Sequence, residues 1–208
     1  NFFSLFKRSI IYNLKKKISI DTDNVSKQSL DEFFHHYGSD KANIFKKTNN
    51  QGHGYSNFYT NQFNNLRNHK INILEIGSYA GASAAAFVKY FPNANVFCFD
   101  VNISNFKFKS KKIHVFGIDI NNKNKVKKKL TKIFNQHQFT HFDLIIDDGS
   151  HFLKDILFGL NLFFYFLKKR CTYIIEDFKH PNYYKYNKDV DDIMVDQMLD
   201  KLSKKEFF

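Results

Sequence analysis

The sequence predicts an α/β fold, a doubly wound and mostly parallel sheet under an N-terminal cover of helices and loops. Three observations predict it. From Ile71 onward short apolar runs alternate with helical patterns, which is the signature of βαβ units. The runs are continuous rather than alternating, as in residues 142–146, which suits strands covered on both faces. A turn carrying two glycines, Gly77 and Gly81, joins the first of these strands to the first helix.

Residues 1–70 show no regular alternation and are rich in Asn, Lys, Tyr and His, so they are read as a cover region over a domain of residues 71–208. Within the cover, residues 2–20 are apolar and basic, a composition that suits either a surface-seeking face or, the reading preferred, a helix that docks on the domain. Strands are expected at residues 72–76, 96–100, 114–117, 144–147 and 173–176, and helices at 82–90, 123–135 and 153–167. In such sheets ligands bind beyond the carboxyl ends of the strands, so the residues closing each strand are the ones to read.

Composition narrows the classes. With 208 residues and 43% hydrophobic content the chain can close one core. Its 26 Phe and 11 Tyr, without Trp, point to a core of Phe, Ile and Leu and exclude disorder. The net charge of +12 would suit an anionic partner, but Lys and Asn are spread along solvated stretches such as 110–112 and 121–129. No long stripe of Arg or Lys interleaves with aromatics, so nucleic acid is not the expected partner. The two cysteines, Cys98 and Cys171, read as core thiols, too few for a zinc cluster or disulfide framework, which points to a reducing cytoplasm. No apolar run spans a bilayer, the longest, 156–167, being interrupted by Gly159 and Asn161, so stable membrane insertion is not expected. The chain opens at Asn1 and stops at Phe208 after a charged run, so either end is read as open to extension.

The glycine turn carries the first functional signal. Gly77-x-x-x-Gly81 differs from the Gly-x-Gly-x-x-Gly of dinucleotide sites, and Glu75 just before it would repel a pyrophosphate. A carboxylate there suits a cationic ligand such as the sulfonium of S-adenosylmethionine. Asp100 closes the second strand, where a carboxylate can accept hydrogen bonds from two ribose hydroxyls. These residues resemble the class I methyltransferases, whose first motif has the form Glu/Asp-x-Gly-x-x-x-Gly. The resemblance implies a Rossmann-like methyltransferase fold, with Gly77, Ser78 and Gly81 lining the methionine part of S-adenosylmethionine and Glu75 positioning it. It further implies that Asp100 holds the ribose and Asp119 the adenine.

The second signal is acidic. Asp147-Asp148-Gly149-Ser150-His151 ends one buried strand and Glu176-Asp177 ends another, and in a doubly wound sheet these strand ends are neighbours. Asp148, His151 and Asp177 would then converge on a volume suited to a hard divalent cation, with Asp147 capping its strand or touching the donor. A cation fixes a hydroxyl and lowers its pKa, and a histidine removes the proton. With Tyr37-Gly38-Ser39-Asp40-Lys41 and His53-Gly54-Tyr55-Ser56-Asn57-Phe58-Tyr59, these motifs resemble the macrocin and mycinamicin sugar O-methyltransferases over residues 37–177. That resemblance implies a magnesium-dependent O-methyltransferase acting on a hydroxyl of a sugar, glycan precursor or other small molecule. Asp148 and Asp177 would be its metal ligands, His151 its general base with Asp148 beside it, and His53 and Tyr55 would close over the donor or acceptor.

Three features depart from that pattern: Thr60 stands where members commonly carry an acid, Lys168-Lys169-Arg170-Cys171 replaces a Gly-Gly turn, and no closing hairpin is evident before Phe208. A homo-oligomer is compatible with all of this. A nucleic-acid base methyltransferase would want Asn/Asp-Pro-Pro-Tyr where Asp148-Gly149-Ser150-His151 stands, and His180-Pro181-Asn182-Tyr183-Tyr184 follows the wrong strand. A noncatalytic nucleotide-binding module would bind the donor weakly or not at all.

Overall fold

The computed structural model describes residues 2–25, 29–178 and 194–204. In chain order these form α1 (Phe2–Leu14), β1 (Ile18–Ser19), α2 (Leu30–Tyr37), β2 (Ile44–Phe45), β3 (Asn50–Gln51), α3 (Ser56–Phe63), β4 (Asn72–Ile76), α4 (Ala82–Tyr90) and β5 (Asn95–Asp100). They continue with β6 (Phe108–Lys109), β7 (Ile113–Gly117), α5 (Lys123–His137), β8 (Phe142–Asp147), α6 (Leu153–Phe163), β9 (Leu167–Ile175) and α7 (Val195–Ser203). The main sheet has the order β7-β5-β4-β8-β9, and every pairing in it is parallel. Each reversal of strand order occurs around β4, so the carboxyl ends of β4, β5 and β8 meet at the switch point where ligands bind.

All five residues of β4 are buried, as a central strand requires. One face packs Ile73, Val96 and Ile146 with Leu30 and Phe34 of α2, Tyr59 of α3 and Phe87 of α4. The rings interlock edge to face, with Phe34 5.4 Å from Phe87 at 81°. The other face packs Leu74, Phe97, Phe99 and Phe142 with Val126 and Leu130 of α5 and Phe163 of α6. One buried cluster holds residues from both sides of position 70. β1 reinforces this by pairing in parallel with β6.

Helix α2 is locally specified. Ser29 and Glu32 form a reciprocal capping box, and Gly38, with φ 78°, ends the helix in the left-handed conformation. Helix α4 exposes nothing at Ala84, Ala85 and Ala86, small residues that let α2 pack closely upon it.

Strand and helix positions agree with expectation at 72–76 and 82–90 and differ by one or two residues at the other boundaries between β4 and α6, whereas the helix expected over 2–20 ends at Leu14 and Ile18–Ser19 form β1. The region after α6 is different. That helix stops at Phe163, and β9 begins at Leu167 where helix was expected. Between the pairs Phe142↔Leu167 and Leu144↔Thr172 the register shifts, which puts Lys168–Cys171 into a bulge with Arg170 at φ 66°. A run of three cations cannot be pleated into a buried ladder, and the bulge turns it to solvent, where Lys168 pairs with Asp143 at 2.6 Å. Cys171 is accordingly half-buried in the bulge and is not the core thiol expected, whereas Cys98 is buried. Glu176 follows β9 instead of ending it.

Among the described residues no strand follows β9, and α7 packs Val195 and Met198 on Leu153 and Ile156 of α6. His180 to Tyr184 lie outside the described residues. No described helix is long and apolar enough to cross a membrane.

At the lower edge of the sheet His114 stacks on Phe97 at 4.8 Å and lies 4.2 Å from His137. Its Nε2 is buried without a hydrogen-bond partner among the described residues. Burial, followed by the neighbouring His137, pushes its pKa down to about 4. The unfolded chain therefore takes up this proton before the folded one does. Its contribution to stability is complete above the ordinary histidine range and is lost as pH falls towards about 4. His114→Phe keeps the ring stack and should shrink the loss of urea resistance between about pH 7 and about pH 4; an unchanged pH dependence would refute this role.

Candidate active site

The two halves of the site touch through backbone. Gly77, with φ 84°, donates its N–H to the Phe99 carbonyl at 2.8 Å, and the N–H of Asp148 bonds the Ile76 carbonyl at 2.9 Å. A Cβ on Gly77 would sit 1.9 Å from the Asp148 carbonyl oxygen, so only glycine lets these strand ends meet. Gly81, at φ 75°, starts α4 with the ring of Phe106 over it, where a Cβ would come within 2.3 Å.

Beyond the ends of β4, β5 and β7 lies a cavity of about 320 Å³, its wall including Gly77, Tyr79, Asp100, Ile118, Asp119 and Asp148. Asp100 is held from both sides: Oδ2 accepts the Tyr79 N–H at 2.7 Å and Oδ1 accepts the Asn102 N–H. Each oxygen keeps a second lone pair. Across the glycine turn a smaller cavity of about 110 Å³ is lined by Ser39, Asp40, Lys41, Lys47, Ser78 and Ser83, and it shares Gly77, Tyr79 and Asp148 with the first.

Asp148, His151 and Asp177 each offer one ligand atom within 4.8 Å of the others. His151 and Asp177 hold φ of 59° and 52°, in the left-handed region that Asp and His enter more readily than most residues. Tyr55 donates its hydroxyl to Asp177 Oδ1, and His53 Nδ1 lies 3.6 Å from Oδ2. The two carboxylates are oxygen donors of the kind a hard divalent cation takes, and the imidazole stands beside them.

The acids converge on one buried cation. Lys41 is 2% exposed, and its Nζ pairs with Asp148 Oδ2 at 2.7 Å and with Glu176 Oε2. Tyr59 donates to the other Glu176 oxygen at 2.5 Å. Burial still pushes Asp148 up to about 6 and Glu176 up to about 7, Lys41 pulling each back down. Lys41 itself stays above the usual lysine range: burial works against its charge, and Glu176, Asp148 and Glu75 outweigh it.

The residues read from the sequence divide into groups. Gly77, Asp100, Asp119 and Asp148 line the larger cavity, Ser78 the smaller, and Asp148, His151 and Asp177 come together. Glu75 lies beneath the turn instead of in either wall: one oxygen accepts the Ser83 hydroxyl, while Oε2 is buried with no partner among the described residues. Asp147 is also below the wall, accepting from the Gly149 N–H and the Tyr173 hydroxyl at 3.2 Å each, and burial pushes its pKa up to about 7. Gly81 shapes the helix start and lines neither cavity. His53 and Tyr55 face Asp177 rather than the larger cavity. No local signal in the sequence gives a role to Lys41, Tyr59, Tyr79 or Glu176. Lys41, Tyr59 and Glu176 lie within conspicuous motifs, but their pairing crosses 135 and 117 residues of chain and leaves no local trace.

Removing the buried cation leaves carboxylates without compensation. Lys41→Met should cost about 3–5 kcal/mol of unfolding free energy, measured by denaturant titration, against about 1 kcal/mol for an ordinary surface lysine pair. A loss below about 1 kcal/mol would mean that the acids do not depend on it.

No family model matches this chain, and no curated protein does. Solved structures do. The MycE methyltransferase of the mycinamycin biosynthetic pathway, in complex with Mg, SAH and mycinamycin VI, superposes with a TM-score of 0.69 at 20% identity, over 86% of this chain and 48% of that one. A second crystal form of MycE, with Mg and SAH, gives 0.66 at 19% identity over 88% and 47%. The chain spans about half the length of MycE. The parallel sheet of order β7-β5-β4-β8-β9 with helices on both faces is a Rossmann-like α/β fold, and in that fold this chain resembles MycE.

Proposed function

We propose that this chain is an S-adenosylmethionine-dependent, magnesium-dependent O-methyltransferase acting on a hydroxyl of a sugar, glycan precursor or other small molecule. One observation carries the reading: Asp148 is at once a wall of the nucleoside-sized cavity and a member of the Asp148–His151–Asp177 cluster. A methyl donor and a metal-held hydroxyl would therefore meet across a single residue. The fold shared with MycE, solved with Mg and SAH, supports it.

In this reading Asp100 accepts from the ribose hydroxyls with the lone pairs its two backbone donors leave open, and Asp119 and Ile118 flank the adenine. Gly77 allows the donor close to the backbone, and Ser78 lines the smaller cavity that takes the methionine end. Glu75, beneath the turn, positions the donor through Ser83. Asp148 and Asp177 would hold the cation, whose bound form supplies the Lewis acidity that lowers the acceptor hydroxyl's pKa. Tyr55 and His53 orient the Asp177 carboxylate. His151, aimed by its backbone, takes the hydroxyl proton as the oxygen attacks the sulfonium methyl in line. With Cys98 and Cys171 both free thiols, we place this activity in the cytoplasm.

Turnover of S-adenosylmethionine against hydroxylated sugars should require magnesium and fall at least about 100-fold in His151→Ala, the usual scale for a lost general base. Metal-independent turnover surviving in that variant would overturn the mechanism. Magnesium-free methylation of RNA or DNA instead would favour the nucleic-acid reading, to which the net charge of +12 lends its only support.

A further inference from the structure

Helix α1 docks with its polar half inward. Arg8 donates to the Val101 carbonyl at 2.9 Å, Ser9 lies against Gly117, and Tyr12 meets Phe106 edge to face at 6.4 Å. The opposite face carries Phe3, Phe6, Ile10 and Leu14 at helical spacing, between 43% and 82% exposed, and Ile18 extends the stripe. A docking helix of the kind the composition predicts would turn that stripe inward.

The charge around it has one sign. Residues 1–20 contain Lys7, Arg8, Lys15, Lys16 and Lys17 and no acid. The parallel pairing of β1 with β6 sets Lys109 opposite Ser19. Asp21, the first acid, is engaged by the Ser110 hydroxyl and the Lys111 N–H. Lys15 and Lys17 donate to backbone carbonyls, and among the described residues none of the five cations has a carboxylate partner.

We propose that α1 is a peripheral membrane-docking helix, lying in the plane of an anionic lipid bilayer with Phe3, Phe6, Ile10 and Leu14 in the acyl boundary and Lys7, Lys15 and Lys16 among the headgroups. Charge complementarity selects this occupant. A bilayer supplies apolar depth and a plane of anions together, whereas a second copy paired face to face would oppose two clusters of cations. At 13 residues α1 lies on a membrane and does not span it. The groove between α1 and the end of β7, lined by Leu5, Phe6, Ser9, Ile118 and Asp119, shares Ile118 and Asp119 with the larger cavity, so docking would seat the site at the lipid surface.

Co-sedimentation with phosphatidylcholine vesicles and with vesicles of phosphatidylcholine mixed with phosphatidylglycerol tests this. The chain should bind the anionic vesicles at least about tenfold more tightly than the neutral ones, and added salt should weaken that binding. Phe3→Ser/Phe6→Ser/Ile10→Ser and, separately, Lys15→Glu/Lys16→Glu should each lower it about tenfold with an unchanged thermal midpoint. The chain has no tryptophan, so Leu14→Trp adds a clean reporter whose emission should shift to the blue on anionic vesicles alone. Equal binding to both vesicle types, variants that bind normally, a Leu14→Trp signal indifferent to lipid, or a lipid-free dimer dissociated by the apolar variant would each overturn the assignment.

Discussion

The structure depends on one buried cation. Glu75 and Glu176 beneath the cavities and Asp148 in their shared wall converge with little water to solvate them, and Lys41, reaching in from the cover, is what lets them stand side by side. The chain of causes starts locally. Ser29 and Glu32 cap α2, Gly38 ends it in the left-handed conformation, and the segment after that turn directs Lys41 under the glycine turn of β4. Tyr59 of α3 completes the pairing from the same cover. The N-terminal third is therefore part of the site's electrostatics.

A second constraint is proximity. The main-chain bonds of Gly77 to Phe99, Asp148 to Ile76 and Glu176 to Asp147 prolong the sheet past its strands and fix three chain ends to one another. What projects from them differs by only a residue in sequence but by chemistry in outcome. Asp147 and Glu75 point into the protein, where burial holds their pKa values up, while Asp148 and Asp177 reach the surface of the site. The aromatic core beneath supplies the stiffness: edge-to-face rings such as Phe34 on Phe87 and Phe97 on Phe142 leave the strand ends little room to shift.

Much of this was legible in the sequence, for reasons that separate the cases. Continuous apolar runs and a glycine turn are local signals, so β4 and α4 were readable to the residue, and the parallel sheet followed from βαβ logic. The meeting of Asp148, His151 and Asp177 was readable too, because both segments end adjacent parallel strands. Cys171 and the start of β9 were not, since the bulge answers to its pairing with β8 and to three clustered cations rather than to local periodicity. Nor was it readable that Glu75 and Asp147 lie below the cavity wall: a carboxylate at a strand end looks the same in sequence whether it faces ligand or core. The outward stripe of α1 was visible as composition, but which half of the helix docks is decided by Arg8, Ser9 and Tyr12 meeting β7 and the loop after β5.

The central claim is that the cavity at the ends of β4, β5 and β7 takes the nucleoside of a methyl donor. Calorimetric titration of S-adenosylhomocysteine into the chain tests it most directly, with Asp100→Ala alongside. Saturable binding of one molecule per chain is expected, weakened at least about tenfold by that substitution through loss of hydrogen bonds to a charged acceptor. No binding, or the same affinity with and without the Asp100 carboxylate, would contradict it.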